Sequence, residues 1–186
     1  MGLRKNIRSK LGNYRFLQEI KKVKLKHEVV GFDEAKKIGL LYDATDDTNY
    51  EIVKQYVKTI RSQQKEVLAL GYVDKKILPV NKFAQYGLDF FTRKNLNWQM
   101  IPSNPIVTNF INEKFDILIN LNNNKCFPLL YISAVSHSRF RVGRFDKKDV
   151  SCYDLMIQVK GEQGIKVFIE EAENYLRQIK SNHEHQ

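Results

Sequence analysis

Cysteine, proline and tryptophan are scarce and glycine is unpatterned: the chain has 2 Cys, 4 Pro, 1 Trp and 9 Gly. Cys126 and Cys152 stand apart from any Cys-x-x-Cys pair and from histidines at ligand spacing. That excludes a disulfide scaffold and reads as the reduced thiols of a cytoplasmic protein. No 18 apolar residues run together, so no membrane span is expected. The opening MGLRKNIRS sets positive charge before no apolar run, unlike a secretory signal, and Asn6 stands where a myristoylation start requires Ser or Thr. Neither Gly-x-Gly-x-x-Gly nor Gly-x-x-x-x-Gly-Lys-Ser/Thr follows any apolar run, leaving a phosphate-cradling glycine loop unsupported. Ser133, Ser136, His137 and Ser138 form a hydroxyl–imidazole set, but without a Gly-x-Ser-x-Gly elbow they read as helix-end chemistry rather than a triad. His183-Glu184-His185 is the one stretch with metal-binding character, and a frayed terminus is the plainer reading. No metal, cofactor or catalytic residue is expected.

What is present is globular: 186 residues, 42% hydrophobic and 28% charged. A fold of this size buries roughly 70% of the surface of its unfolded chain, enough to need no staple. The net charge of +10 is unevenly placed. Residues 1–27 hold Arg4, Lys5, Arg8, Lys10, Arg15, Lys21, Lys22, Lys24 and Lys26 against Glu19 alone, a net +8 that leaves +2 for the rest. A nearly neutral body with a strongly basic segment suggests a polyanionic partner.

Leu3, Ile7, Leu11, Tyr14 and Leu17 recur on one helical face, so residues 3–26 read as a basic amphipathic helix, with Gly12 a point of bending. Ile38–Tyr42 and Glu66–Tyr72 are short apolar runs typical of strands buried on both faces. Between them, Thr45-Asp46-Asp47 supplies a helix start and Ile52, Val53, Tyr56, Val57 and Ile60 its apolar stripe. Further strands are expected at Leu88–Thr92, Phe115–Leu121, Ser138–Gly143 and Tyr153–Val159, the third of these with one wet face. Helices are expected at Ile106–Asn112, at Phe127–Val135 and from Ile165 to Ile179. This alternation predicts an α/β fold, a three-layer Rossmann-like sandwich with a mainly parallel sheet of five or six strands. The organisation read from the chain is a basic helical arm over 1–27, a single α/β domain over 28–181 and a disordered tail over 182–186.

Parallel sheets bind ligands beyond the carboxyl ends of their strands. Asp43, Asn120, Ser136 and His137 are therefore candidates for a small-molecule pocket. Asp43, Asp46, Asp47 and Asp74 follow the first two strands and read as cation or ribose ligands, or as caps and solvated acids. Arg139, Arg141 and Arg144 form a second basic spot, read either as a phosphate grip or as charge guarding an edge strand. Three functional readings follow. The basic arm, with Tyr14 and Phe16 available to stack or to pack and the three arginines as a second patch, contacts RNA or a ribosome. A nucleotide or sugar binds at the strand ends. The arm attaches peripherally to an anionic membrane, a reading weakened by its lack of Trp. A fourth possibility is structural: the apolar stripe docks on the body and its lysines face water.

Phe115-Asp-Ile-Leu-Ile-Asn-Leu121, the helix after it, Ser138-Arg-Phe-Arg-Val-Gly143 and Tyr153-Asp-Leu-Met-Ile157 resemble an uncharacterised bacterial family of small α/β proteins, a domain of unknown function. The resemblance implies a fold over most of residues 30–180 and carries no activity. The shorter stretch from Asp116 to Gly143 is similar to the amino-terminal domain of heptosyltransferase-like glycosyltransferases, which implies a Rossmann-like sheet.

Overall fold

The computed structural model describes residues 28–85, 87–159 and 164–179, together with Phe16, Gln18 and Ile20 of a preceding helix. The stripe Leu3, Ile7, Leu11 and Tyr14, the arm cations Arg4, Lys5, Arg8, Lys10, Arg15, Lys21 and Lys22, and the tail 182–186 lie outside the described residues.

Six strands form one sheet: β1 (Lys37–Asp43), β2 (Glu66–Val73), β3 (Leu88–Thr92), β4 (Ile117–Asn120), β5 (Phe140–Arg144) and β6 (Leu155–Ile157). Their order is β3-β2-β1-β4-β5-β6, and every neighbouring pair is parallel. Four helices join or follow them: α1 (Asp47–Ser62), α2 (Pro105–Asn112), α3 (Phe127–Val135) and α4 (Ile165–Gln178). The apolar runs are strands because both faces are covered. α1 and α4 pack on one face through Val53, Val57, Phe168 and Leu176, and α2 and α3 on the other through Val107, Phe110, Leu129 and Ile132. The result is the expected three-layer Rossmann-like sandwich. Among the described residues no helix is long and apolar enough to cross a membrane.

Local chemistry sets the helix starts. The Asp46 carboxylate accepts the Thr48 amide at 2.7 Å, and Asn104 accepts the Val107 amide at 3.0 Å just before Pro105. Both side chains satisfy amides that a helix leaves unpaired in its first turn. At the amino ends of the strands, Asp116 ties β1, β4 and β5 together. Its carboxylate accepts the Lys36 amide at 2.8 Å, the Lys37 amide at 3.0 Å and Arg139 Nη1 at 2.9 Å. Burial pushes this carboxyl up, but these donors outweigh it and hold it below the usual aspartate value.

Two expectations need correction. The strand after α3 has no wet face: Phe140, Arg141, Val142 and Gly143 are all buried. It lies between β4 and β6 instead of at an edge, so charge guarding an exposed edge is not what its arginines do. The following strand is also shorter than Tyr153–Val159, running from Leu155 to Ile157; ahead of it Tyr153 turns across β5 and Asp154 turns its carboxylate onto the Arg141 amide at 2.8 Å.

Phe16 is buried at 7% exposure, with its ring 5.6 Å from Phe127 and 6.0 Å from Tyr131. With Ala134, Cys152 and the flanking Ile20 it forms a small cluster on the outer side of α3. Phe16 is therefore part of the packing and does not offer its ring for base stacking.

Candidate functional site

The strand order reverses between β1 and β4, and open α/β sheets of this kind bind ligands at such a point, beyond the carboxyl ends. A cleft of about 240 Å³ opens on the β4 side of that point, at the carboxyl ends of β4 and β5 and beside the first turn of α3. Its floor is polar and built. Asn120, the last residue of β4, donates from Nδ2 to the Tyr153 hydroxyl at 2.9 Å, and its Oδ1 accepts the Asn122 amide at 3.2 Å. Tyr153 reaches this position only because residue 143 is glycine: a Cβ at Gly143 would lie 2.4 Å from the tyrosine ring. Burial holds the Tyr153 hydroxyl well above its ordinary value, so it is a neutral hydrogen-bonding group.

The walls carry charge. Arg144 ends β5, donates from Nη2 to Asn123 Oδ1 at 2.6 Å and stacks with its guanidinium carbon 4.9 Å from the centre of the Phe168 ring. Burial pulls its pKa down from the ordinary arginine value. Lys125 pairs with Asp146 at 2.8 Å, which lowers the aspartate and raises the lysine. Asp149 moves the other way, held up by burial and by the neighbouring Asp146 charge. Two carboxyls in one cleft are thereby driven apart, and Asp149 keeps its proton to a higher pH than Asp146 does. Cys126 precedes α3, and burial pushes its thiol up to about 12, so it is no nucleophile at neutral pH.

This arrangement can hold an anion and hydroxyl groups together. A guanidinium offers a planar fork of donors, and asparagine side chains both donate and accept. Among the described residues no group of three or more His, Cys, Asp and Glu is placed to hold a metal ion. A larger groove of about 820 Å³ runs between the outer surfaces of α1 and α4, floored by Ile52, Tyr56 and Ile169, and it lies on the helix layer instead of at the strand ends.

The residues singled out from the sequence separate. Asn120 and Arg144 line the cleft. Asp43 ends β1 and spends its carboxylate on the Thr45 amide at 2.8 Å. Asp46 caps α1, Asp47 pairs with Lys82, and Asp74 holds Arg93 at 2.7 Å, so these acids are structural. Ser136 and His137 are not in the pocket. α3 has nine residues, about 13 Å of helix running back antiparallel to the strands, and delivers them to the amino end of β5. There Ser136 is buried, accepting the Ser138 amide at 3.2 Å, and the His137 amide donates to the Ile111 carbonyl at 2.9 Å. The three arginines also part company. Arg139 pairs at the amino end with Glu28 at 2.7 Å and Asp116 at 2.9 Å, Arg141 is buried against Asp154, and only Arg144 faces the cleft. Asn122, Asn123, Lys125, Asp146, Asp149 and Tyr153 went unnoticed as site residues. The available signal was the asparagine run after the most apolar strand, which reads equally well as a strand terminator.

The fold is that of a Rossmann-like α/β protein with a cleft at the strand ends. The chain belongs to a family of unknown function, DUF6913, whose pattern matches residues 8–179. No curated protein and no solved structure matches it.

Proposed function

We propose that the protein binds a small phosphorylated molecule, a mononucleotide or a sugar phosphate, in the cleft at the carboxyl ends of β4 and β5. The observation that carries this reading is the lining of the cleft, where the Arg144 guanidinium at the end of β5 stands with Asn120 and the Asn122–Asn124 run. A bound phosphate accepts from such a guanidinium, and the asparagines suit ribose or sugar hydroxyls. The volume of about 240 Å³ is below the roughly 300–1,000 Å³ of drug-sized sites, which argues for a compact ligand with a single phosphate. With both cysteines as free thiols, the cytoplasm is the compartment we assign.

Thermal-shift and calorimetric titrations with inorganic phosphate, nucleoside monophosphates and hexose phosphates test the reading. A specific ligand at 100 times its Kd adds about 2.7 kcal/mol to stability. Arg144→Met keeps a side chain over Phe168 and removes the charge, and it should weaken binding about 10- to 150-fold, the range of a lost charge-assisted hydrogen bond. No response to any of these probes at millimolar concentration would overturn the proposal.

The +8 charge of residues 1–27 supports a second reading, contact with RNA or a ribonucleoprotein. Because Phe16 is packed on the body, the test should neutralise charge and leave the segment in place. Replacing Arg4, Lys5, Arg8 and Lys10 by glutamine should abolish retention on RNA. The unaltered chain should lose affinity with salt at a log–log slope of roughly −0.7 to −0.9 per phosphate contacted. Equal retention of both proteins would exclude it.

A further inference from the structure

Among the described residues nine large apolar side chains are exposed, and three of them fall within seven consecutive positions: Ile77 at 73%, Val80 at 99% and Phe83 at 59%. They belong to the connection from β2 to β3. Scattered singly, exposed apolar residues are ordinary, but a cluster on one loop marks a contact surface.

This loop is fastened. The Lys82 amide donates to the Pro79 carbonyl at 2.9 Å, closing a turn with Val80 and Asn81 at its corners. The Lys82 side chain is buried at 2% exposure, paired with Asp47 at the start of α1, with its ammonium 5.7 Å from the centre of the Tyr50 ring. Val80 is thus held outward on an anchored turn. The connection that leaves β3 lies against the same loop: the Arg93 amide donates to the Lys75 carbonyl at 3.0 Å, and the Arg93 guanidinium neutralises Asp74. This second connection carries Trp98, 57% exposed. Lys75, Lys76 and Lys94 are exposed on the two connections.

Two properties choose the partner. A side chain as exposed as Val80 stands clear of the body, where a fluid interface can close around the projecting tip. The charges around it, once Asp74 is paired, are cationic. Aliphatic and aromatic side chains with lysines beside them are the composition of surfaces that sit at the headgroup boundary of anionic bilayers. We propose that the Ile77–Phe83 turn, together with Trp98 on the neighbouring connection, docks the protein on an anionic lipid surface, the apolar tip entering the interface and Lys75, Lys76 and Lys94 meeting the headgroups.

Trp98 is the only tryptophan in the chain, so its emission reports on this surface and not on residues 1–27. The full chain is mixed with phosphatidylcholine vesicles and with vesicles containing phosphatidylglycerol. The expected result is co-sedimentation with the acidic vesicles alone, a blue shift of Trp98 emission, and quenching by brominated acyl chains. The double substitution Ile77→Asp with Val80→Asp should lower partitioning at least tenfold at an unchanged Tm, because both side chains already face water. Four results overturn the proposal. One is no sedimentation with acidic vesicles. Another is sedimentation with Trp98 emission unmoved, which assigns lipid binding to the basic segment. A third is undiminished partitioning of the double variant. The last is a blue shift that grows with protein concentration without lipid, which assigns the surface to self-association.

Discussion

Asp154→Ala is expected to destabilise the protein by about 3–5 kcal/mol, read as a fall in the urea midpoint. Arg141 is buried in the strand between β4 and β6 and is satisfied on several sides. Its Nε and Nη2 each reach Asp154 at 3.2 Å, and Nη1 donates to the Ala134 carbonyl at 3.1 Å. The Asp154 carboxylate also accepts the Arg141 amide at 2.8 Å, standing in for a strand carbonyl between β5 and β6. Removing the carboxylate strands a guanidinium out of water and orphans a sheet amide together. Arg141→Met should cost less, since it leaves an acid that is nearer to solvent: the side chains are 6% and 15% exposed. The double variant Arg141→Met with Asp154→Leu should recover much of the loss, because apolar groups of similar volume often replace a buried pair at little cost. Losses under 1 kcal/mol in both single variants would show that the pair is not the closed unit described here.

Phe16→Ala should cost about 3 kcal/mol, near the lower end for a buried phenylalanine cut to alanine. The ring meets Phe127 edge-on, at 70° between planes, and lies tilted at 41° to Tyr131. Phe127 and Leu130 in the same cluster also line the cleft, so the variant should weaken phosphate-ligand binding as well. The alternative is sharply different. A ring that projects for stacking on bases would leave Tm unchanged when truncated and weaken RNA retention alone. Thermal unfolding of the single variant distinguishes the two outcomes.

Much of the architecture was legible because it is local. Ile38–Tyr42 and Glu66–Tyr72 are apolar at nearly every position, which only a two-sided strand tolerates. Thr45-Asp46-Asp47 announced the start of α1, and Asp46 does cap it. The helix expected at Ile106–Asn112 is α2, which the structure shows capped by Asn104 just before Pro105. The strand at 140–144 misled because arginine alternating with phenylalanine and valine is the pattern of a half-wet strand. Asp154, thirteen residues later, is what allows Arg141 to be buried, and nothing near residue 141 announces it. Ser136 and His137 misled for a geometric reason: adjacency to a strand in sequence says nothing about which end of the sheet a residue reaches.

Taken alone, the sequence determined the alternation of strands and helices, the parallel pairing that such crossovers require, and the concentration of cations in residues 1–27. Each follows from periodicity, capping and charge, which act within a few residues. Only the tertiary structure decided the strand order, and with it the end at which Asn120, Arg144 and Tyr153 meet and the burial of Phe16 and Arg141. Those outcomes depend on pairings between segments tens of residues apart, where the free energy of burying a side chain is set by a partner that its own neighbours in sequence do not specify.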